Sequence, residues 1–185
     1  GSGGNPLFTK GGLMLGAVAA VFLWGYNSFY TVKTEEKSVE LFLGEFSSVG
    51  NPGLNFAPWP VVTYEVVPVS VEQTESIGAG ARGSDAGLML TGDENIIDVD
   101  FQVVWNINEP DKFLFNLRDP KATIQAVSES AMREIIAQSQ LAPILNRDRG
   151  IISQRLEELI QSTLDSYDAG VNIVRVNFDG ADPPE

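Results

Sequence analysis

Ile97-Asp98-Val99-Asp100-Phe101-Gln102-Val103-Val104-Trp105-Asn106-Ile107 is the stretch on which the fold turns. Ile97, Val99, Phe101, Val103, Trp105 and Ile107 alternate with Asp98, Asp100, Gln102, Val104 and Asn106. Successive side chains of a strand point to opposite faces, so this pattern predicts a long strand with one buried and one mostly wet face. Such in-and-out alternation is antiparallel in character. Asp98 and Asp100 share the wet face and could approach a divalent ion. Two carboxylates alone seldom hold one, so a solvated face is the preferred reading, and no cofactor is expected.

Toward the C-terminus, Asp119-Pro120 is a helix start, an N-cap followed by Pro at the first helical position. Ile124, Val127, Ala131, Met132, Ile135 and Ile136 then form one apolar stripe at helical spacing. A second helix, Arg149 to Tyr167, is expected to bury Ile152, Leu156, Leu159, Ile160 and Leu164 before Gly170 stops it. Val174, Val176 and Phe178 alternate in a closing strand, and Pro183-Pro184 ends regular structure.

Toward the N-terminus, Gly78 to Gly87 holds four glycines in ten residues and reads as a flexible loop. It lacks the Gly-Lys-Ser/Thr ending of a phosphate-binding loop. Tyr64 to Glu75 reads as a strand in which Pro68 marks an edge or bulge, and Ser38 to Phe46 as another, ending near a turn at Gly44-Glu45. Between them, Gly50-Asn51-Pro52-Gly53 is turn chemistry. The Pro58-Trp59-Pro60 core of Leu54 to Val62 fits neither a regular helix nor a central strand. Phe56, Trp59, Val61 and Val62 in this loop either dip into a membrane surface or cover the core of their own domain. Strands, then helices, then a strand indicate an α+β fold with helices on one face of a mostly antiparallel sheet.

From Gly11 to Val32 no residue is charged, and Lys10 and Lys33 bracket the stretch. The run from Leu13 to Trp24 is apolar on every side. About 20 helical residues cover the ~30 Å hydrocarbon core, so residues 11–30 are expected to form a transmembrane helix. Leu13, Leu15, Val18, Val21, Phe22 and Leu23 would face lipid, with Trp24, Tyr26 and Tyr30 at the headgroup layer. A cleavable signal needs small residues after the apolar run. Trp24-Gly25-Tyr26-Asn27 follows instead, which favours an uncleaved signal anchor. The flanking charges are too few to set its orientation.

Composition narrows the function. Net charge is −13, from 25 acidic and 12 basic residues, so phosphate backbones are repelled and nucleic acid is not a partner. With no Cys and no His, thiolate nucleophiles, His-based triads, Cys/His zinc sites and haem ligation are ruled out. Remaining carboxylate pairs, Asp93 with Glu94 and Glu157 with Glu158, are adjacent in sequence. Neighbouring residues diverge on a strand or helix, so neither pair converges on a substrate.

Several motifs then resemble a known family. Met89-Leu90-Thr91-Gly92-Asp93-Glu94-Asn95-Ile96, Phe113-Leu114-Phe115-Asn116-Leu117-Arg118-Asp119-Pro120 and Glu129-Ser130-Ala131-Met132-Arg133-Glu134 occur in the order found in the HflK branch of the SPFH (band 7) superfamily, which also holds stomatins, prohibitins, flotillins and HflC. Pro52-Gly53-Leu54-Asn55-Phe56 and the Leu164-Asp165, Tyr167 and Gly170 positions fit as well, so the resemblance runs from about Phe29 to Glu185. Lys37-Ser38-Val39 stands where the family has Arg-Gly-Val, and Phe42-Leu43-Gly44-Glu45 where it has Arg-Phe-Gly-Lys. Both changes remove positive charge near the membrane.

The resemblance implies a flexible segment at 1–10 (Gly1-Ser2-Gly3-Gly4 being a tail or a cloning remnant), a transmembrane helix at 11–30, a first SPFH subdomain at 31–87 ending in the Gly-rich loop, and a second at 88–185. A long charged helix is expected past Pro183-Pro184, outside these residues. It also implies a non-enzymatic scaffold anchored in the bacterial inner membrane with its SPFH domain in the periplasm. There it would alternate with an HflC-like subunit in a cage that regulates an FtsH-like AAA+ metalloprotease. The alternative is a stomatin- or prohibitin-like organiser of membrane microdomains or channels without a protease partner.

Overall fold

The computed structural model describes residues 9–78, 87–140 and 149–182. The expectations for residues 1–8, for the interior of the Gly-rich loop at 79–86 and for Pro183-Pro184 lie outside the described residues. The chain divides into two compact units, residues 1–67 and 68–185. The division falls at Val67/Pro68 rather than at the Gly-rich loop, because the strand just before that loop pairs with the long central strand of the second unit.

In the first unit, helix α1 (Lys10–Asn27) starts at Thr9, whose side chain accepts from the Gly12 amide, and ends at Ser28. Strands β1 (Phe29–Val32) and β4 (Gly53–Phe56) pair antiparallel, Phe29 opposite Phe56. A second small sheet has the order β3-β2-β5, built from β2 (Glu36–Phe42), β3 (Glu45–Gly50) and β5 (Val62–Pro68). The single strand expected from Ser38 to Phe46 is thus the arm and tip of a hairpin, with Leu43-Gly44 as its two-residue turn.

Tyr30, Val32 and Ala57 make a small core, with Val62 packed against them. Tyr30 stacks on Tyr64 with ring centroids 3.7 Å apart. Its hydroxyl donates to Glu40 Oε1 (2.8 Å) and lies 2.6 Å from the fully buried Ser38 Oγ, while Ser48 Oγ donates to Glu40 Oε2. Burial, reinforced by the Glu40 carboxylate, pushes the Tyr30 phenol up to about 12.

The second unit is built on β8 (Ile96–Ile107). On one side β8 pairs antiparallel with β6 (Gln73–Ile77) and β7 (Leu88–Leu90), and on the other with β9 (Val171–Asp182). The strand expected from Tyr64 to Glu75 is therefore two, β5 and β6, in different units; Pro68, which has no amide to donate, ends the first. Ile97, Val99, Phe101, Val103, Trp105 and Ile107 are all buried. Full burial of such side chains stabilises by ~1.5–3 kcal/mol each.

Helix α2 (Pro110–Asn116) follows β8 and is absent from the sequence reading. Helix α3 (Pro120–Ala137) begins as expected, with the Asp119 carboxylate accepting from the Ala122 amide at 3.1 Å. Helix α4 (Arg149–Ser166) packs on β9 and against α3, and α3 packs on β6 and β7. Ile152, Leu156, Ile160 and Leu164 are buried, whereas Leu159 is only half-buried.

In β9 the expected alternation holds locally, with Val174 half-buried, Val176 buried and Phe178 half-buried between exposed Arg175, Asn177 and Asp179, but it does not run the length of the strand. Register shifts leave Val174 and Asp179 without partners on β8, so Val171, Ile173, Val176 and Ala181 carry the buried positions. Gln161 of α4 reaches the outer edge of β9, donating to Val171 O (3.1 Å) and accepting from Ile173 N (2.7 Å).

The β7–β8 turn docks on the end of α3. Thr91 Oγ1 accepts from the Asn95 amide, and the Gly92 amide donates to Ser139 O at 2.8 Å. A Cβ on Gly92 would lie 2.8 Å from Ala137 O and 3.2 Å from Ser139 O, both backbone atoms. Gly92→Ala is expected to destabilise the second unit by about 1–3 kcal/mol, whereas Gly150→Ala, which meets open space on a helix, leaves it unchanged or slightly stabilised. Paired thermal or urea melts check this.

The raised Tyr30 phenol fixes the sign of a second expectation. Its stabilisation is complete below pH ~10 and is lost as pH rises through 10 toward the folded value near 12. Tyr30→Phe should flatten the alkaline decline of the melting temperature over that window; an unchanged decline would show that the phenol does not drive it.

Candidate functional site

Helix α1 differs from α3 and α4 in having no buried residue. Leu13, Leu15, Val18, Val21, Phe22, Leu23, Trp24 and Tyr26 are all exposed, Phe22 at 76% and Tyr26 at 81%. Its 18 residues rise about 27 Å, with polar Lys10 and Asn27 at the ends. Among the described residues no helix is long and apolar enough to cross a membrane. Tyr30 does not belong to this helix. Ser28 ends α1, its hydroxyl donating to Trp24 O, and the chain turns into β1, where Tyr30 is buried in the unit's own core.

The end of α1 is fastened to the Pro58-Trp59-Pro60 loop. Trp24 Nε1 donates to Trp59 O at 2.6 Å, and the Ala57 amide donates to Ser28 O at 2.7 Å. The Trp59–Pro60 bond is cis. Phe56, Trp59 and Val61 are exposed, Trp59 at 69%; Val62 is half-buried and packs inward. The small Ala57 fills the core position, so Phe56 and Trp59 do not cover the unit's interior.

Sequence reading missed a neighbouring element. The hairpin tip carries exposed Phe42 and Leu43, the latter at 73%, and the Leu43 amide donates to Val61 O at 2.9 Å. Exposed Phe29 packs on Phe56, with ring centroids 5.1 Å apart. The turn expected near Gly44-Glu45 lies one residue earlier, at Leu43-Gly44, because leucine is not a turn-former; the exposed apolar character of the tip is what the sequence reading did not single out.

The carboxylate candidates do not assemble. Asp98 and Asp100 are half-buried on one face of β8, and no group of three or more potential metal ligands occurs among the described residues. Asp93 accepts from Thr91 Oγ1, and Glu94 sits at φ 64° in the turn. Glu158 is exposed and accepts from Gln154, while Glu157 is half-buried beside it on α4. Lys112 pairs with Glu109 (2.5 Å) and Asp168 (2.9 Å), which hold its ammonium well above the ordinary lysine range and tie α2 to the segment after α4.

The profile of the SPFH domain / Band 7 family matches residues 30–185, that is, everything after α1 and the first residues of its exit. The protein HflK of Vibrio cholerae is 36% identical over 99% of this chain and 45% of its own length. The protein HflK of Haemophilus influenzae is 34% identical over 100% of this chain and 43% of its own length. The Escherichia coli K12 protein named modulator of FtsH protease HflK is 33% identical over 92% of this chain and 39% of its own length. The chain thus spans less than half the length of these curated relatives. With the family profile covering β1 from its second residue and every later element through β9, the chain belongs to the SPFH domain / Band 7 family.

Proposed function

We propose that this chain is a non-catalytic, membrane-anchored scaffold of HflK type. It assembles with an HflC-like subunit into a cage on the periplasmic side of a bacterial inner membrane and regulates an FtsH-like AAA+ protease. The observation that carries the reading is α1, eighteen residues with apolar side chains exposed all round, joined by the Trp24–Trp59 bond to a folded unit.

Water is an unfavourable surrounding for such a helix, and lipid a favourable one. Its length falls a few Å short of the hydrocarbon core. A helix this short is accommodated by local thinning and by Lys10 snorkelling, each at modest cost. Trp24 and Tyr26 then lie at the headgroup layer, with Phe56, Trp59 and Val61 on the membrane surface. The name of the Escherichia coli relative supports the link to a protease.

A single anchor confines copies to one plane and raises their effective concentration, while a net charge of −13 opposes side-by-side packing. Extraction of native membranes in mild detergent should yield one large complex containing an HflC-like subunit and an FtsH-like protease. A channel in their place would move the reading to a stomatin-like organiser, and a chain found in the water-soluble fraction would end it. Cross-linking of the purified complex should strengthen as ionic strength rises from low to physiological values, through screening of the acidic surfaces; uniform dissociation by salt would contradict the electrostatic account.

A further inference from the structure

The β7–β8 turn holds Glu94 at φ 64°, in the left-handed region that suits Asn, Asp or Gly better. Its carboxylate makes no hydrogen bond or ion pair among the described residues, so nothing within the unit offsets the strain. Gly92 to Ile96 are all exposed, and Leu90 and Ile96 are cross-strand partners, 54% and 56% exposed. The turn thus presents an unpaired carboxylate beside two apolar side chains. Glu75 of β6 pairs with Val103 and accepts from Gln125 of α3, which puts α3 on the face of Val103 and Ile97. Leu90 and Ile96 stand on the other face.

A complementary surface lies at the start of α3. Arg118, Asp119, Ala122, Ala126, Val127 and Tyr167 line a hollow of about 750 Å³ there. Its floor is small and apolar, and Tyr167, just past α4, is exposed beside it. Asp119 is engaged as the α3 cap. Arg118 is exposed and has no partner among the described residues. Tyrosine and arginine around an apolar floor are what the centre of a protein–protein contact is made of. The β7–β8 turn is fastened to the far end of α3, where the Gly92 amide meets Ser139 O, and the 18 residues of that helix rise about 27 Å.

We infer that the β7–β8 turn of one copy of this chain seats in the hollow of a second copy, Glu94 pairing with Arg118 while Leu90 and Ile96 cover Tyr167 and the alanine floor. Charge selects the occupant. At −13 the surface of one copy repels another, and a free guanidinium facing a free carboxylate is where two copies attract. The two surfaces lie at opposite ends of α3 and on opposite layers of the unit, so the contact is head-to-tail. Each copy engages two neighbours, and the series closes into a ring where the rotation permits. The inference rests on the reading of the chain as an assembling scaffold and goes beyond it, since that reading calls for an HflC-like subunit but for no contact between two copies.

The full chain is sized in detergent by sedimentation velocity at physiological ionic strength, unaltered and with Glu94→Arg, with Arg118→Glu, with both changes together, and as an equimolar mixture of the two single variants. The unaltered chain should form species larger than a dimer. Each single reversal should weaken association by about tenfold or more. The double variant and the mixture, in which arginine and glutamate face each other again, should return to within about threefold of the unaltered chain. Both side chains are exposed, so melting temperatures should stay level across the set.

An unaltered chain that stays monomeric, or association that the single reversals leave in place, overturns the contact. Loss in both single variants without recovery in the mixture also overturns it and makes the two residues merely structural. Association seen only once an HflC-like subunit is added overturns the contact between copies and leaves the cage standing. A native complex lacking both the HflC-like subunit and the protease, with the reversal pattern intact, ends the cage and upholds the contact.

Discussion

The larger unit depends on one constraint, the two-residue period of β8, which only the buried Val104 interrupts. Because each step flips the side chain, a single register places Ile97, Val99, Phe101, Val103, Trp105 and Ile107 on the same buried face. A slip by one residue would exchange them for Asp98, Asp100, Gln102, Val104 and Asn106. β8 can impose this because it is paired on both sides, with β6 and β7 along one edge and β9 along the other. Trp105 serves by volume: its indole N–H has no partner among the described residues, yet the ring is fully buried and meets Phe113 of α2 at 5.9 Å.

The smaller unit reverses the usual distribution of polarity. A chain of hydroxyl and carboxylate bonds runs from the buried Tyr30 and Ser38 through the half-buried Glu40 to the exposed Ser48, beside a very small apolar core. Outside it stand Phe29, Phe42, Leu43, Phe56, Trp59 and the whole of α1. A water-facing domain of this size would be expected to show the opposite arrangement, because large contiguous apolar surface is rare on monomers that remain in water. Polar bonds hold the unit together where hydrophobic burial is scarce, and the hydrophobic side chains are left for other contacts.

How much of this was legible in the sequence depended on the range of the interaction involved. Local signals read well: the alternation of β8, the Asp119-Pro120 start of α3, and the stop at Gly170, which has φ 67°. Pairing between distant strands did not. The unit boundary at Pro68 follows from β6 choosing β8, a choice made with a segment some 30 residues on. The skipped residues Val174 and Asp179 in β9 exist only relative to β8, so the expected apolar alternation could not reveal them. The hairpin turn was legible near Gly44-Glu45 but sits one residue earlier, because the conformation of Leu43 contradicts its preference. Tyr30 reads as an interfacial aromatic in the sequence because composition carries no mark of the Ser28 turn that sends it inward. The membrane-surface candidates Phe56 and Trp59 were legible as apolar and stiff, while the role of Ala57 as the core filler was not.

The Gln161 amide, which grips Val171 O and Ile173 N, matters most if many copies stand shoulder to shoulder. A long outermost strand with free peptide groups is a template onto which a neighbour's strand can zip, and crowding in a plane multiplies such encounters. With two of those groups answered by a side chain from its own helix, and the pairing interrupted by skipped residues, β9 would offer a neighbour's strand fewer free groups. Contacts between neighbours are then left to side chains, which can be made and broken, rather than to a growing ladder of backbone bonds, which cannot easily be undone.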